Sequence, residues 1–477
     1  MIRFSKRMAP LMAALLLAGC ATPNIVAPEP DVPIPEQWAQ SDPAPLSADI
    51  ATYWELLGDP LIVSLVEQAI AQNRDLAQSA ARLDQAHASL RQARAGWLPS
   101  LSASGSAVRD IGDLQRDGVQ FNLGADASWE VDLFGQIGND VAAADAELAA
   151  AGYAQADLQR LIAGQVAISA INARALAEQL AIARDTLAFQ DENLDIARWR
   201  NQAGLVSSLD VEQARTQRAQ TAATIPQLES SLTATSNAIS TLIAEPPGRV
   251  LDAFELPRTM GAQSAPMPVP AAPLLTGFDA PADVLRNRPD VRSAEASLIA
   301  ATARIGIARA QLLPMVRLTG SIGTGPTQFD NLFDIITGGL VGSVGQLIFD
   351  GGRTQALVDS SEASARGALA AWEQTILTAL EEVESAAVDQ RTADQRVTIF
   401  AEAVDAASNS ALLARSQYQA GLTDFQTLLV AENQLLSARN QYVAAEADRA
   451  AAFVRLTQAL GGGWDDPALT SPDRNTP

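Results

Sequence analysis

The side chains able to do covalent chemistry in this 477-residue chain are few. The single cysteine, Cys20, closes an apolar run near the start, and the single histidine, His87, lies among alanines in a helical pattern. Ser321 in Gly320-Ser321-Ile322-Gly323 and Ser343 in Gly342-Ser343-Val344-Gly345 lack the spacing of a nucleophile elbow. No group of His, Cys, Asp and Glu has metal-ligand spacing. Neither a catalytic residue, a metal site nor a cofactor is therefore expected. The carboxylates with the clearest pattern are Asp126, Glu130 and Asp132, which alternate with apolar residues. Side chains so placed line one face of a wall, and an acidic wall favours cations over anions.

Cys20 has a more specific chemistry. Residues 1–19 carry Arg3, Lys6 and Arg7 and then an apolar run through Leu15-Leu16-Leu17, the layout of a secretory signal peptide and too short to span a bilayer. Leu17-Ala18-Gly19-Cys20 resembles a bacterial lipobox, in which the cysteine thiol takes a diacylglycerol and the preceding peptide is removed. No second cysteine exists to pair with that thiol. A covalent lipid on Cys20 is the expected modification, and several acyl chains hold a protein on a membrane where one would not.

The formal net charge is −22, and the only lysine, Lys6, leaves with the signal peptide. A strongly acidic chain without lysine has no basic patch with which to neutralise phosphates, which argues against nucleic acid as a partner. After Cys20 no run of 18 apolar residues occurs, so a membrane crossing is expected to be made by strands rather than by a helix.

Such strands are legible. From Val119 to Leu133 apolar and polar residues alternate without a break. Val119, Phe121, Leu123, Ala125, Ala127, Trp129, Val131 and Leu133 form one face, and Gln120, Asn122, Asp126, Ser128, Glu130 and Asp132 lie on the other. Fifteen residues exceed the five or six of a usual soluble strand and suffice for a tilted membrane strand of about 9–11. Lipid outside and water inside would suit the two faces, and the polar residues named are the expected barrel lumen. Residues 100–108 supply the hairpin partner. A second pair is expected at Val316–Thr324 and Gly339–Phe349, with weaker alternation. Four strands cannot close a barrel.

The chain also repeats itself. Ala93-Arg94-Ala95-Gly96-Trp97-Leu98-Pro99 returns as Ala308-Arg309-Ala310-Gln311-Leu312-Leu313-Pro314, and Gln202-Ala203-Gly204-Leu205 as Gln419-Ala420-Gly421-Leu422, about 215 residues on. Each copy reads helix, hairpin, very long helix, tight turn, long helix. Helical periodicity runs from near Pro60 to Trp97. Steps of four and three link Ile162, Val166, Ser169, Ala173, Leu176, Leu180, Ala183, Leu187, Gln190, Leu194 and Ala197, a coiled-coil seam. A second seam runs from Leu428 to Ala459. A helix from about Gly138 to Ala203 would reach about 100 Å at the usual rise per residue. Gly204 and Gly421 fall where each long helix must reverse, with Ser207 or Ser208, and Thr423 or Asp424, able to cap the returning helix.

These readings divide the chain into a signal peptide (1–19), a lipidated extended arm (20–60), a first repeat (61–244) with hairpin 100–133 and tip near 204, and a proline-rich connecting segment (245–280). A second repeat (281–462) with hairpin 316–349 and tip near 421, and a tail (463–477), complete it.

Several segments, spread in order over nearly the whole mature chain, resemble the TolC-like outer-membrane efflux factors, in their lipoprotein, NodT-type branch. They are the lipobox at Cys20, the arm ending Val32-Pro33-Ile34-Pro35-Glu36-Gln37-Trp38, Arg286-Asn287-Arg288-Pro289-Asp290-Val291, Ile348-Phe349-Asp350-Gly351-Gly352, Tyr418-Gln419-Ala420-Gly421-Leu422, and Ala459-Leu460-Gly461-Gly462-Gly463-Trp464. The resemblance implies an α+β membrane protein and a homotrimer. Each chain gives four strands to one 12-stranded outer-membrane β-barrel, continuous with a long periplasmic α-helical coiled-coil barrel. It implies an exit duct for drugs or other small molecules, closed at rest and opened by a periplasmic adaptor joined to an inner-membrane RND-type pump. The tips Gly204, Leu205, Val206 and Ser207, and Gly421, Leu422 and Thr423, would then meet the adaptor, and Tyr418, Asp424, Thr427 and Val430 would form the periplasmic gate.

The chain departs from the family at that gate. Thr427 and Val430 stand where many members carry acids, and Thr423 where a basic residue is common. An apolar constriction of Val430 or Leu429 would gate by dewetting, whereas a ring of Asp424 would bind cations. Both forms of gate remain open at this stage, as do two other roles. One is the same duct serving type I protein secretion, and the other is a poreless coiled-coil lipoprotein acting as a spacer.

Overall fold

The computed structural model describes residues 27–39, 50–109, 119–254, 267–275, 277–324 and 329–464. Cys20, the signal peptide, most of the 109–118 loop and the tail after Trp464 lie outside them. The elements are α1 (Pro60–Gln72), α2 (Arg74–Ala95), β1 (Ser100–Val108), β2 (Gln120–Val131), α3 (Gln136–Gln202) and α4 (Ser208–Leu242). They are followed by α5 (Pro281–Asn287), α6 (Pro289–Ala310), β3 (Met315–Thr324), β4 (Ile336–Gly345), α7 (Arg353–Gln419) and α8 (Phe425–Ala459). Helices α2 and α6 both have 22 residues, α3 and α7 both 67, and α4 and α8 both 35, so the duplication extends to element length.

Contacts divide the chain into two discontinuous units, each taking segments from both repeats. The first holds 81–153 and 292–375 and contains the sheet, ordered β1-β2-β3-β4 and antiparallel throughout. Directly opposed residues of an antiparallel pair project to the same face. The register therefore gathers Leu101, Leu123, Trp129, Ile322, Leu340 and Val344 on one side, all exposed, and the serines of β1 with Asn122, Asp126, Ser128, Glu130, Arg317 and Thr319 on the other. In the same unit α2 packs on the start of α3 through Leu90, Ala93 and Ala144, and α6 on the start of α7 through Ala301, Ile305 and Ala365.

The second unit, 33–80, 154–291 and 376–477, holds the larger core. Nine of the eleven positions of the α3 seam are buried, and the small alanines among them let helices approach closely. Ile162, Val166, Ala170 and Ile171 meet Tyr53, Ile62, Val66, Phe453 and Val454 there. The most apolar 18-residue window of α3 reaches a mean hydropathy of 1.2, but 61% of it is buried by protein, which marks a core helix rather than a membrane span. Trp38 of the arm is buried too, its indole N–H donating to the Asp279 carbonyl at 2.8 Å.

Two local expectations are corrected, and one helix holds a proline in its interior. The helix from Pro60 is broken at Asn73, whose N–H donates to Ala69 O at 2.9 Å while its side-chain oxygen accepts from the N–H groups of Asp75 and Leu76. One residue thus closes α1 and caps α2. Helix α4 passes through Pro226, although a proline costs an interior helix about 3 kcal/mol; its neighbours Ile225, Leu228 and Leu232 pack on the core. Strand β4 spans Ile336–Gly345 rather than Gly339–Phe349, because pairing of Thr324 with Ile336 and Met315 with Gly345 fixes its ends.

Candidate functional site

Two regions carry the residues singled out by sequence. In the second unit each long helix ends in the same reversal. Gly204 and Gly421 both have φ of 72°, the left-handed conformation that glycine adopts without penalty. Leu205 N–H donates to Arg200 O, and Leu422 N–H to Gln417 O, each at 2.9 Å, the long bond of a Schellman ending. Leu205 and Leu422 consequently project into solvent, 74% and 79% exposed, with Gly204, Ser207 and Gly421 also exposed and Val206 and Thr423 half-buried.

The residues expected at the gate divide into two kinds. Tyr418 is buried, its ring 5.3 Å from that of Phe425 and capped by the Arg200 guanidinium at 4.6 Å. Arg200 also donates to Tyr418 O and Gln419 O, both at 3.0 Å, tying the end of α3 to the end of α7. Asp424 caps α8, accepting from Thr427 N–H at 2.8 Å and from its hydroxyl at 2.6 Å. Those bonds hold the Asp424 carboxyl below its usual range. Val430 remains an exposed apolar surface. Behind the tip, buried Glu432 accepts from Asn193 at 2.8 and 3.0 Å and from Arg415 at 3.2 Å.

In the first unit the expected lumen residues Gln120, Asn122, Asp126, Ser128 and Glu130 share one face of β2. Asp132 falls beyond the strand and accepts from Gly138 N–H at 2.8 Å, close to the start of α3. Glu130 lies opposite Arg317, with 3.5 Å between carboxylate and guanidinium. Cross-strand hydroxyls satisfy carbonyls along the same face, among them Ser100 to Ser128 O and Ser102 to Asp126 O.

Sequence reasoning missed Arg200 and Arg317, and Phe425, which closes the tip stretch from Gly421, is buried rather than exposed. Arg317 did carry a signal, a lone charge within an alternating strand. Arg288, quoted as part of a motif, is 1% exposed and donates to Asp290, Glu382 and the Ala459 carbonyl, joining the segment before α6 to α7 and to the end of α8. Burial pushes Asp290 up, but the bond to and charge of Arg288 outweigh it and hold the carboxyl below its ordinary value. Among the described residues no group of three or more metal-ligating side chains converges.

Comparison with known proteins agrees with this geometry. The family model described as outer membrane efflux protein matches residues 65–245 and 280–462. Nodulation protein T of Rhizobium leguminosarum bv. trifolii is 30% identical over 98% of this chain and 99% of its own length. The solvent efflux pump outer membrane protein SrpC of Pseudomonas putida is 31% identical over 95% of this chain and 98% of its own. Among solved structures, the outer-membrane channel OprN superposes with a TM-score of 0.80 at 30% identity, covering 92% of this chain and all of that one.

Proposed function

The chain belongs to the outer membrane efflux protein family, and we propose that it is the lipid-anchored exit duct of a tripartite pump, working with a periplasmic adaptor and an inner-membrane RND-type pump. Its fold is that of the trimeric TolC-like channels, and its place is the outer membrane of a Gram-negative bacterium. The observation that carries the duct reading is the two-faced sheet. Its four strands leave β1 and β4 as edges, and about eight strands are the least that close a barrel. Three copies, contributing 12 strands, abolish every edge, turn the Leu123–Trp129 face to lipid and enclose the Asn122–Glu130 face around water.

Diacylglycerol on Cys20 supplies the anchor. The matched tips 204–207 and 421–423 offer exposed leucines for the adaptor, and the Tyr418–Val430 region, with Asp424 and Thr427, forms the gate. The role is conduction, with energy and much of the selectivity coming from the partners. Small organic molecules are the expected cargo, in keeping with a relative named for solvent efflux. Deletion of the gene should raise cellular accumulation of toluene or a lipophilic dye. Restoration by the native chain but not by a Leu205→Asp, Leu422→Asp tip variant present at equal trimer level supports the reading, and unchanged accumulation on deletion contradicts it.

A further inference from the structure

Within the four strands three side chains carry charge: Asp126, Glu130 and Arg317. The register places all three on the polar face. Glu130 stands directly opposite Arg317 at ion-pair distance, and two opposite charges 3.5 Å apart largely cancel when felt from the middle of a water-filled barrel. Asp126 stands opposite Ser102 on one side and Ser321 on the other. The Ser102 hydroxyl donates to the Asp126 backbone carbonyl at 3.4 Å, and the Asp126 side chain is exposed. Gly124 and Ser128 flank Asp126 on its own strand, so short side chains surround it, and among the described residues no cation pairs with it. Asp132, the other acid in the alternating run, is withdrawn to Gly138 N–H.

We propose that Asp126 is the specificity-determining residue of the barrel. Three copies form one uncompensated acidic ring that favours cationic solutes over anionic ones, while Arg317 keeps Glu130 electrically silent. This rests on the duct reading, in which the polar face encloses the lumen. The consequence is that selectivity rests on one position: neutralising Asp126 weakens it, while removing both members of the Glu130–Arg317 pair leaves it unchanged.

The test is the reversal potential of the acylated full-length trimer in a phosphatidylcholine bilayer under a KCl gradient near 0.1 M, where the Debye length is about 10 Å. The potentials focused in such a pore predict that Asp126→Asn lowers the potassium-to-chloride permeability ratio about two- to fivefold, while Asp126→Glu preserves it. Arg317→Gln raises the ratio about twofold by exposing Glu130, Glu130→Gln lowers it, and the Glu130→Gln, Arg317→Gln double variant matches the native protein. An unchanged ratio in Asp126→Asn, or a double variant as weakly selective as Asp126→Asn, overturns the proposal. A trimer that is inserted yet silent both as Arg200→Ala and with the cognate adaptor added contradicts the duct reading itself, so the two failures are distinguishable.

Discussion

The guanidinium of Arg200 covers the ring of Tyr418 at 4.6 Å and bonds the carbonyls of Tyr418 and Gln419, so the last turn of one long helix clasps the last turn of its counterpart. Charged hydrogen bonds contribute about 1.5–3 kcal/mol when buried, and less for a half-exposed arginine. Arg200→Ala should free the second-repeat tip without harming the larger core around Tyr53 and Phe453. The expected outcome is normal trimer yield with a severalfold rise in leak conductance and in sensitivity to large antibiotics. Unaltered leak at normal yield would remove Arg200 from the closure of the gate.

Asp424 gives that tip a pH dependence whose sign is fixed. Its folded carboxyl is held below the ordinary value by Thr427, so the cap contributes fully above the unfolded value near 3.9 and is lost as pH falls through the folded one. Fraying of the first turn of α8, followed by amide exchange, should set in below about pH 4. In Asp424→Ala the same fraying should be present at neutral pH and insensitive to acid. A native tip equally protected at pH 3 and pH 7 would rule out the capping account.

In the second unit Asp59 and Arg174 form an ion pair with both side chains less than a tenth exposed. Asp59 also caps α1 through Leu61 N–H, and Arg174 lies 5.2 Å from the centre of the Phe254 ring. Asp59→Ala leaves a buried guanidinium without its counter-ion, a change that costs roughly 3–5 kcal/mol. Denaturation of the variant should show that loss, with Asp59→Ala, Arg174→Met recovering part of it. A single variant as stable as the native chain would contradict the assignment.

Trp129 and Leu123 sit on the apolar face of β2, and Trp129 donates its indole N–H to Trp97 O at 3.1 Å. Arginine at lipid-facing mid-depth positions of a barrel costs about 2–4 kcal/mol. Leu123→Arg should therefore lower the yield of heat-resistant trimer in outer-membrane fractions, while Asn122→Arg, one residue away on the other face, should not. Equal yields would invert or abolish the assignment of faces.

Sequence pattern reached some of these elements and not others for physical reasons. Strand β2 was readable because its alternation is local and unbroken. Strand β4 was blurred because Gly338, Gly339, Gly342 and Gly345 carry no pattern, and its ends are set by pairing with β3. The tips were legible because glycine is needed at a left-handed φ. Asn73 misled because a single side chain serves two helix ends. Tyr418 was recognised as a tip residue, but its burial beneath Arg200 depends on a contact between residues 218 apart in sequence, which no local pattern encodes.

The most direct test of the central claim is single-channel recording from the purified, acylated trimer in a planar bilayer, native and Arg200→Ala side by side. An outer-membrane duct closed at its tips predicts small or brief steps from the native trimer, and larger, cation-selective steps once the clasp is removed. Stable insertion of both proteins with no conductance from either, even with the cognate adaptor added to open the tips, would contradict the duct and leave a poreless membrane spacer in its place.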